Sequence, residues 1–448
     1  MLAKPSSFLF FSLILAIIVA GGLAGLIFPI TPARAFTIYT VTRTDDPEPD
    51  SCLPTDCSLR EAIRAANTAP GTDLIVLQAG TYTLSRPGDK DNVAFFGDLD
   101  ITDNLTLQGA GAASTVIDGN GSVTRDRVIE ITTGVTAHIS GVSIRRGFSS
   151  VFSGGGIFNA GSLTLTLSRV ISNTVNNNGG GIANQGTLVI SQSLIMSNIG
   201  NPPTYGFGGG LYNEGQLTLV ESTVSGNENR IGGGLDNGPL ATATLINSTV
   251  SGNRARENGG GINNRGAGVL NLFNVTLTAN RLEMVTNNLA WDGGGLKIGL
   301  NSTVNARNTL IADNQKTGVL FDPINDDCKG ILTSAGYNLV GTTAGCVITG
   351  DTTGNLTGQF PQLGPLADNG GPTLTHALSP DSPALDAGNP AGCTDNAGNG
   401  LITDQRGYAR SVDGDGANGP RCDIGAFESE TSVPAPQTQH VYLPILLK

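Results

Sequence analysis

Apolar and polar residues alternate along short segments of this chain, and a glycine-rich signal separates the segments. Six times three consecutive glycines precede an Ile or Leu, and in five of the six copies Asn stands two residues after it. The triplets begin at Gly154, Gly179, Gly208, Gly232, Gly259 and Gly293. A spacing of about 25 to 30 residues without helical periodicity is typical of a solenoid built from stacked coils.

Each copy continues with a strand-like segment. Leu163, Leu165 and Leu167 alternate with threonines, which is the period of a β-strand with one buried face. When the copies are aligned on the first glycine, Leu163, Leu188 and Leu217 occupy one position. The pattern predicts an all-β fold, a parallel β-helix whose aliphatic rows are buried inside, with coils about 4.8 Å apart.

Asparagines also recur at fixed positions, and two predicted rows of stacked amides follow. The first row holds Asn159, Asn184, Asn213, Asn237 and Asn264, and the second holds Asn173, Asn198, Asn227, Asn253, Asn280 and Asn314. A carboxamide can donate to one neighbour and accept from the other, so the rows can form hydrogen-bonded ladders along the corners of the solenoid. The alternative is that each Asn is a generic turn residue.

Composition and the N-terminal segment indicate an exported, acidic protein. Residues 1–35 combine Lys4, a long apolar run and an Ala33-Arg34-Ala35 ending, which predicts a signal peptide; an uncleaved anchor is the alternative. Loss of Lys4 and Arg34 would change the formal net charge from −12 to −14. This charge disfavours nucleic acid as a partner. We expect no transmembrane span after leader removal, because the apolar C-terminal tail is too short to cross a bilayer.

The six cysteines fall into sequential pairs outside the glycine repeats. Fifteen connectivities are formally open, but local pairing is favoured because each pair occupies its own segment. In an exported protein we expect disulfides, with zinc as the weaker alternative. The pairs are Cys52 with Cys57, Cys328 with Cys346, and Cys393 with Cys422.

The two ends of the solenoid need caps, because an open end exposes its core. The sequence predicts an N-terminal cap over 36–73, in which Ser58 and Glu61 form a capping box ahead of a short amphipathic helix. The β-helix is expected over 74–346, a disulfide-bearing module over 347–430, and a linker with an apolar tail over 431–448. For the tail, a sorting signal and an edge strand both remain open.

The charged residues of 347–430 allow two interpretations. A buried network of arginines and carboxylates would order a segment that has little apolar core. A calcium site is the alternative, because Asp413, Asp415 and Asn418 place oxygen ligands at alternating positions, although no Glu follows at the twelfth position of such a loop. No other cofactor is indicated.

Motifs at both ends resemble those of exported bacterial proteins. Residues 57–62, Cys-Ser-Leu-Arg-Glu-Ala, resemble the N-terminal CSLREA motif, and the glycine repeats resemble those of polymorphic outer-membrane-protein and pectate-lyase-like β-helices. Segments 382–388, 404–407 and 423–428 resemble a choice-of-anchor domain. The resemblance implies a right-handed β-helix, in line with the general preference for right-handed crossovers, and extracellular or cell-surface display without a particular reaction.

The repeats show no evident catalytic set. They contain no His, and acids such as Glu221 and Asp236 have no obvious partner at the same register, so no carboxylate pair for glycoside hydrolysis is apparent in 154–314. For Asp326 and Asp327, beside Cys328, a solvated turn is expected.

Two long connections leave one corner of the solenoid, at 199–207 and 281–292. They carry the candidate ligand-binding residues Tyr205, Phe207, Trp291 and Asp292. Insertions on one face of a repeat protein often form its binding face, although these side chains can instead fold down over the solenoid.

The sequence therefore favours a non-catalytic surface protein that contacts polysaccharide, cell-surface glycan or matrix. A polysaccharide lyase or glycoside hydrolase of the β-helix type is the first alternative, and a purely structural spacer is the second. Two acids, or an acid and an Arg, facing each other across adjacent coils in a groove would favour the enzyme, whereas a flat polar face would favour binding.

Overall fold

The structure is a computed structural model that describes residues 36–88, 91–201, 206–284, 292–319, 321–395, 397–414 and 419–430. Within these ranges the chain forms a parallel β-helix, which confirms the predicted fold class. A complete coil contributes strands to four columns, numbered here in the order in which the chain passes through them, and the coils at the two ends contribute to fewer. Columns one and two join into one continuous sheet.

The strands of the first column directly follow the glycine triplets in the repeats. They are Leu99–Ile101, Ile129–Ile131, Ile157–Asn159, Ile182–Asn184, Leu211–Asn213, Leu235–Asn237, Ile262–Asn264 and Leu296–Ile298. The second column holds Ile38–Thr40, Asp73–Leu77, Leu105–Gly109, Thr136–Ser140, Ser162–Thr166, Thr187–Ser191, Gln216–Val220, Thr242–Ile246, Val269–Phe273, Thr303–Arg307, Cys328–Ala335 and Cys346–Asp351.

The third and fourth columns complete each coil. The third holds Gly80–Thr83, Thr115–Asp118, Ser143–Arg145, Arg169–Ile171, Leu194–Met196, Thr223–Ser225, Thr249–Ser251, Thr276–Thr278, Leu310–Ala312, Leu339–Val340 and Leu356–Thr357. The fourth holds Phe148–Ser149, Thr174–Val175, Ile199–Gly200, Glu228–Ile231, Arg254–Asn258, Arg281–Glu283, Gln315–Gly318 and Phe321–Asn325, the last of which pairs antiparallel.

The aliphatic rows form the core, as the alternation predicts. Leu163 pairs in register with Leu188, which pairs with Leu217, and all three side chains are buried. Glycine makes this stacking sterically possible at the corners. The first glycine of each triplet lies in the left-handed region, for example Gly259 at φ 63°. A Cβ on Gly155 would lie 2.5 Å from the Gly180 carbonyl oxygen of the next coil.

Side-chain amides run along two corners. In the first row Asn159 Nδ2 donates to Asn184 Oδ1 at 2.7 Å, and the same contact continues to Asn264. In the second row the chain of amides runs from Asn173 to Asn314. It ends where Asn314 Nδ2 donates to Asp327 Oδ1 at 3.0 Å. An acceptor-only carboxylate suits the end of a row whose members all donate in one direction.

Asp326 and Asp327 therefore correct one expectation. Both residues are buried rather than in a solvated turn. Asp326 Oδ2 accepts the backbone N–H groups of Gly293 and Gly294, and burial raises the pKa of Asp327 to about 6. The pair closes the polar corners of the last repeat coil.

An α-helix, Leu59–Thr68, covers the N-terminal end, and a short helix spans Gly121–Thr124. Ser58 N–H donates to Glu61 Oε2 at 2.7 Å and Glu61 N–H donates to Ser58 Oγ at 3.3 Å, the reciprocal bonds of a capping box. Arg60 is fully buried and pairs with Asp46 at 2.7 Å. The helix packs against the first coils through its apolar face.

The C-terminal segment folds back along the outside of the third column. It contains one antiparallel pair, Leu363–Ala367 with Thr375–Leu378, and otherwise turns. Its side chains bond the solenoid directly, as where Gln405 Oε1 accepts from Thr249 Oγ1 at 2.6 Å. The three expected disulfides, Cys52–Cys57, Cys328–Cys346 and Cys393–Cys422, are present.

Candidate functional site

The middle residue of each first-column strand points out of the solenoid, because its two neighbours along the strand point inward. Strand register places these residues in one line parallel to the axis, which we call the outer row. The outer row comprises Asp100, Glu130, Phe158, Ala183, Tyr212, Asp236, Asn263, Lys297 and, from the next coil, Lys329. It carries acids at one end, aromatic and polar residues in the middle, and lysines at the other end.

A cleft of about 510 Å³ opens beside the acidic end of the outer row. Its lining residues are Asn92, Arg127, Glu130, Val151, Phe152, Ser153, Phe158 and Asn177. The Arg127 guanidinium carbon lies 5.1 Å from the ring centroids of both Phe152 and Phe158. Aromatic rings, a guanidinium, a carboxylate and two amides therefore surround one cleft, which we call the N-terminal cleft.

Three carboxylates cluster at this cleft. One oxygen from each of Asp98, Asp100 and Glu130 lies within 4.8 Å of the other two. Burial raises the pKa of Asp98 well above its usual range, helped by the charges of Asp126 and Asp100, and burial raises the pKa of Asp100 to about 7.

Arg127 neutralises part of this cluster. Its Nε lies 2.9 Å from Asp98 Oδ2, and its Nη2 lies 3.1 Å from Glu130 Oε2. Only Glu130 of the three acids lines the cleft, because Asp98 and Asp100 are buried. A cation already occupies the position between two of the carboxylates, so the cluster is an ion-paired network rather than a ready cage for a divalent metal.

Sequence reasoning missed this cluster because it considered acids only within the glycine repeats. The acids do carry a signal: Asp100 lies between Leu99 and Ile101, and Glu130 lies between Ile129 and Ile131. An acid between two buried aliphatic residues of a strand occupies a position whose side chain points outward. Placing those strands in the repeat frame would have paired Asp100 with Glu130.

The middle of the outer row is a covered polar network. Asp236 is fully buried, its Oδ2 accepts from Arg265 Nε at 2.9 Å, and its Oδ1 accepts from Asn263 Nδ2 at 2.6 Å. The partners of Asp236 are thus an amide and a guanidinium, whereas the expectation from the sequence concerned a second carboxylate at its register. Burial raises the pKa of Asp236 to about 6 despite the Arg265 charge. The Tyr212 hydroxyl donates to Glu214.

Phe207, a predicted ligand-binding residue, lies over this network. Its ring centroid is 6.2 Å from that of Tyr212, and Arg265 is stacked at 4.3 Å from the Phe207 ring. Phe207 therefore folds down on the solenoid, as in the alternative interpretation of the long connections. Tyr205 and Trp291 lie outside the described residues, so an aromatic platform that includes them stays a prediction.

Asp292, the fourth predicted residue, is buried at the basic end of the outer row. Although burial acts in the opposite direction, hydrogen bonds and charge from Lys316 and Lys329 lower the pKa of Asp292. Register places its strand three coils beyond that of Phe207. The two residues therefore belong to different parts of the row.

The C-terminal module contains the buried arginine–carboxylate network that the sequence offered as one interpretation. Arg406 Nε lies 2.8 Å from Asp404 Oδ2, and Arg410 Nη1 lies 3.2 Å from Glu428 Oε2 with both side chains buried. Of the candidate calcium ligands, Asp415 and Asn418 lie outside the described residues. The calcium loop with Asp413 therefore stays a prediction.

Fold and site together define a capped parallel β-helix with one charged and aromatic outer row. No family model matches the chain, and no curated protein matches it. Among solved structures, the chain is similar to one titled "Crystal structure of pectate lyase Pel9A", with 16% sequence identity and a TM-score of 0.48. The alignment covers 88% of this chain and 96% of that chain. Likeness at this level says nothing about chemistry.

In the part of the chain that the structure describes, no helix combines the length and the apolar character needed to cross a membrane.

Proposed function

We propose that this protein is exported and contacts glycans through the N-terminal cleft without altering them. The observation that carries the proposal is the composition of the cleft: Phe152 and Phe158 flank Arg127, with Glu130 and two amides at the margin. A sugar ring has an apolar face and a polar edge, and such a cleft offers both kinds of contact. The three disulfides support export, because disulfides persist in oxidising compartments.

Access to the acids favours binding over catalysis. A general acid or base must come within hydrogen-bond reach of the atom it serves. Asp98 and Asp100 are buried behind the cleft, and Asp236, in the middle of the outer row, is also buried. A ligand in the cleft would meet Glu130 alone among these acids.

The test is a panel of neutral and acidic polysaccharides, scored for retention of the protein and for new reducing or unsaturated ends. Phe158→Ala should weaken retention about three- to tenfold, because one aromatic stacking contact contributes roughly 0.5 to 1.5 kcal/mol. Phe360→Ala, at a ring 63% exposed and absent from the cleft lining, is the matched control. Equal retention of the two variants on the polysaccharide would show that the cleft is not part of the binding site.

Glycoside hydrolysis is the second candidate, favoured by one specific observation. Asp100 and Glu130 are paired in register across adjacent coils, and a pKa of about 7 suits Asp100 to donate a proton at neutral pH, but hydrolysis also requires that substrate binding uncover the buried Asp100. Paired carboxylates at short separation are the requirement of retaining glycosidases. New reducing ends that disappear in both Asp100→Asn and Glu130→Gln would establish this activity.

A structural spacer is the outcome if no polysaccharide is retained and no new ends appear. The C-terminal module would then matter only for display at the cell surface, the role that its resemblance implies.

A further inference from the structure

Lysine is rare in this chain, and its placement is uneven. The sequence contains six lysines: Lys4, Lys90, Lys297, Lys316, Lys329 and Lys448. Three of them fall within the described residues, and all three lie around one carboxylate, Asp292. In a protein with a formal net charge of −12, such convergence of ammonium groups from three separate strands calls for an explanation.

Strand register brings the lysines together. Lys297 and Lys329 are neighbours in the outer row, and Lys316 comes from the fourth-column strand of the same coil as Lys297. Lys316 Nζ lies 2.6 Å from Asp292 Oδ1, and Lys329 Nζ lies 3.3 Å from Asp292 Oδ2. Both oxygens of the buried carboxylate are therefore engaged by two partly exposed ammonium groups.

The third ammonium has no such partner. Within the described ranges Lys297 forms no ion pair, whereas Lys316 and Lys329 both do. Burial lowers the pKa of Lys297; the charge of Asp292 opposes this shift, and the charges of Lys329 and Lys316 add to it. The charge of Asp326 also acts on Lys297, but Asp326 forms no ion pair with it, and its Oδ2 accepts two backbone N–H groups. The cluster therefore has an excess of positive charge over what its own acids neutralise.

We propose that Lys297, Lys316 and Lys329 form a binding site for one oxyanionic group, a carboxylate or sulfate, of an extended ligand lying along the outer row. An oxyanion between the three lysines would supply the counter-charge that Lys297 lacks. An ammonium is a compact point charge with three donors, so it accepts oxyanions of different shape. A cluster of three lysines suits an isolated anionic group better than the continuous phosphates of a nucleic acid.

This site is separate from the N-terminal cleft. Six coil steps separate Glu130 from Lys297 along the outer row, on the order of 29 Å at the spacing of parallel strands. The proposal therefore holds whether or not the cleft binds sugar, and variants at one site leave the other intact.

Binding is measured with the full-length secreted protein against alginate, which carries carboxylates, dextran sulfate, which carries sulfates, and neutral dextran. Lys297→Gln should weaken binding of at least one anionic polymer about tenfold, while Lys297→Arg retains most of it. Arg125→Gln removes an exposed positive charge near the short helix and is the charge-matched control. Comparing alginate with dextran sulfate identifies the anionic group that is recognised.

A second variant acts in the opposite direction. Asp292→Asn removes the carboxylate that Lys316 and Lys329 share, so it should strengthen binding of the same polymer and steepen its loss with salt. A structural defect would not strengthen binding. If Lys297→Gln binds both anionic polymers as the parent does, or if Asp292→Asn fails to strengthen binding, the proposal is overturned. Phe158→Ala alters only the N-terminal cleft, so it should bind inorganic sulfate as the parent does. A variant that loses polysaccharide retention but keeps sulfate binding therefore reports on the cleft and not on the lysine site.

Discussion

Replacing Asn227 with alanine tests the amide ladder at an interior position. The Asn227 side chain is fully buried, and its Oδ1 accepts from both the backbone N–H and the Nδ2 of Asn198, at 2.9 and 3.0 Å. Its Nδ2 donates to Asn253 Oδ1 and to the Ile195 carbonyl, each at 2.9 Å. One side chain thus connects three successive coils.

The expected cost follows from these four hydrogen bonds. At about 1 kcal/mol each, their loss destabilises the neighbouring coils by about 4 kcal/mol, and the partners left unsatisfied in a buried corner add to that figure. Asn227→Asp should cost at least as much near neutral pH. The carboxylate keeps the acceptor but loses both donors, and it then faces the oxygens of Asn253 and Ile195.

Hydrogen exchange is the appropriate measurement, because a solenoid is stabilised mainly by contacts between neighbouring coils and can open locally. The backbone N–H of Asn198 should lose about 4 kcal/mol of opening free energy in Asn227→Ala. Amide groups several coils away should change little. Asn201→Ala is the control, because the Asn201 side chain is exposed and its Nδ2 donates to Asn176 Oδ1 at 3.3 Å outside the buried amide rows.

The reasoning fails if the two alanine variants differ by no more than about 0.5 kcal/mol, the usual effect of a surface substitution. It also fails if protection is lost uniformly along the solenoid, because the ladder predicts a loss centred on Asn227.

Three further outcomes are expected. Because burial raises the pKa of Asp100 from 3.8 to about 7, the folded state binds protons that the unfolded chain does not, and stability should fall as pH rises from about 4 to 7. Asp100→Asn should flatten that fall in thermal melts, and an unchanged slope would contradict the assignment. Arg410→Met leaves Glu428 buried without its ion pair and should lower the free energy of unfolding, measured in urea, by about 3 to 5 kcal/mol. Proteases should also cleave the C-terminal module of this variant earlier than that of the parent. Removal of the Cys393–Cys422 disulfide, which joins residues 29 apart, should cost roughly 3 to 4 kcal/mol; no change on reduction would show that non-covalent contacts suffice there.

Much of the fold could be predicted from repeated local signals. The alternation around Leu163, the glycine triplets and the recurring asparagines each recur once per coil, so a single register explains all of them. The capping box at Ser58 was equally local, because its two partners are three residues apart. Because these signals repeat, they can be recognised in the sequence without knowledge of distant contacts.

The candidate site was less predictable. Phe207 packs on Tyr212 and Arg265, because a long connection can fold down as easily as it can project, and its contact with a ligand stays a prediction. Asp326 and Asp327 were expected in solvent, yet they close the corners of the last repeat coil. Neither outcome follows from local pattern, since both depend on which groups the adjacent coil leaves without partners.

The sequence by itself determined the stacking of coils, the aliphatic interior and the amide rows, because these features repeat with the period of one coil. Only the tertiary structure decided which unique side chains share a surface. Strand register places Asp100 beside Glu130 and Lys297 beside Lys329, and connections of unequal length bring Lys316 and Lys329 to Asp292. Non-repeating residues have no period from which their neighbours can be inferred, so their chemistry emerges only when the coils are in place.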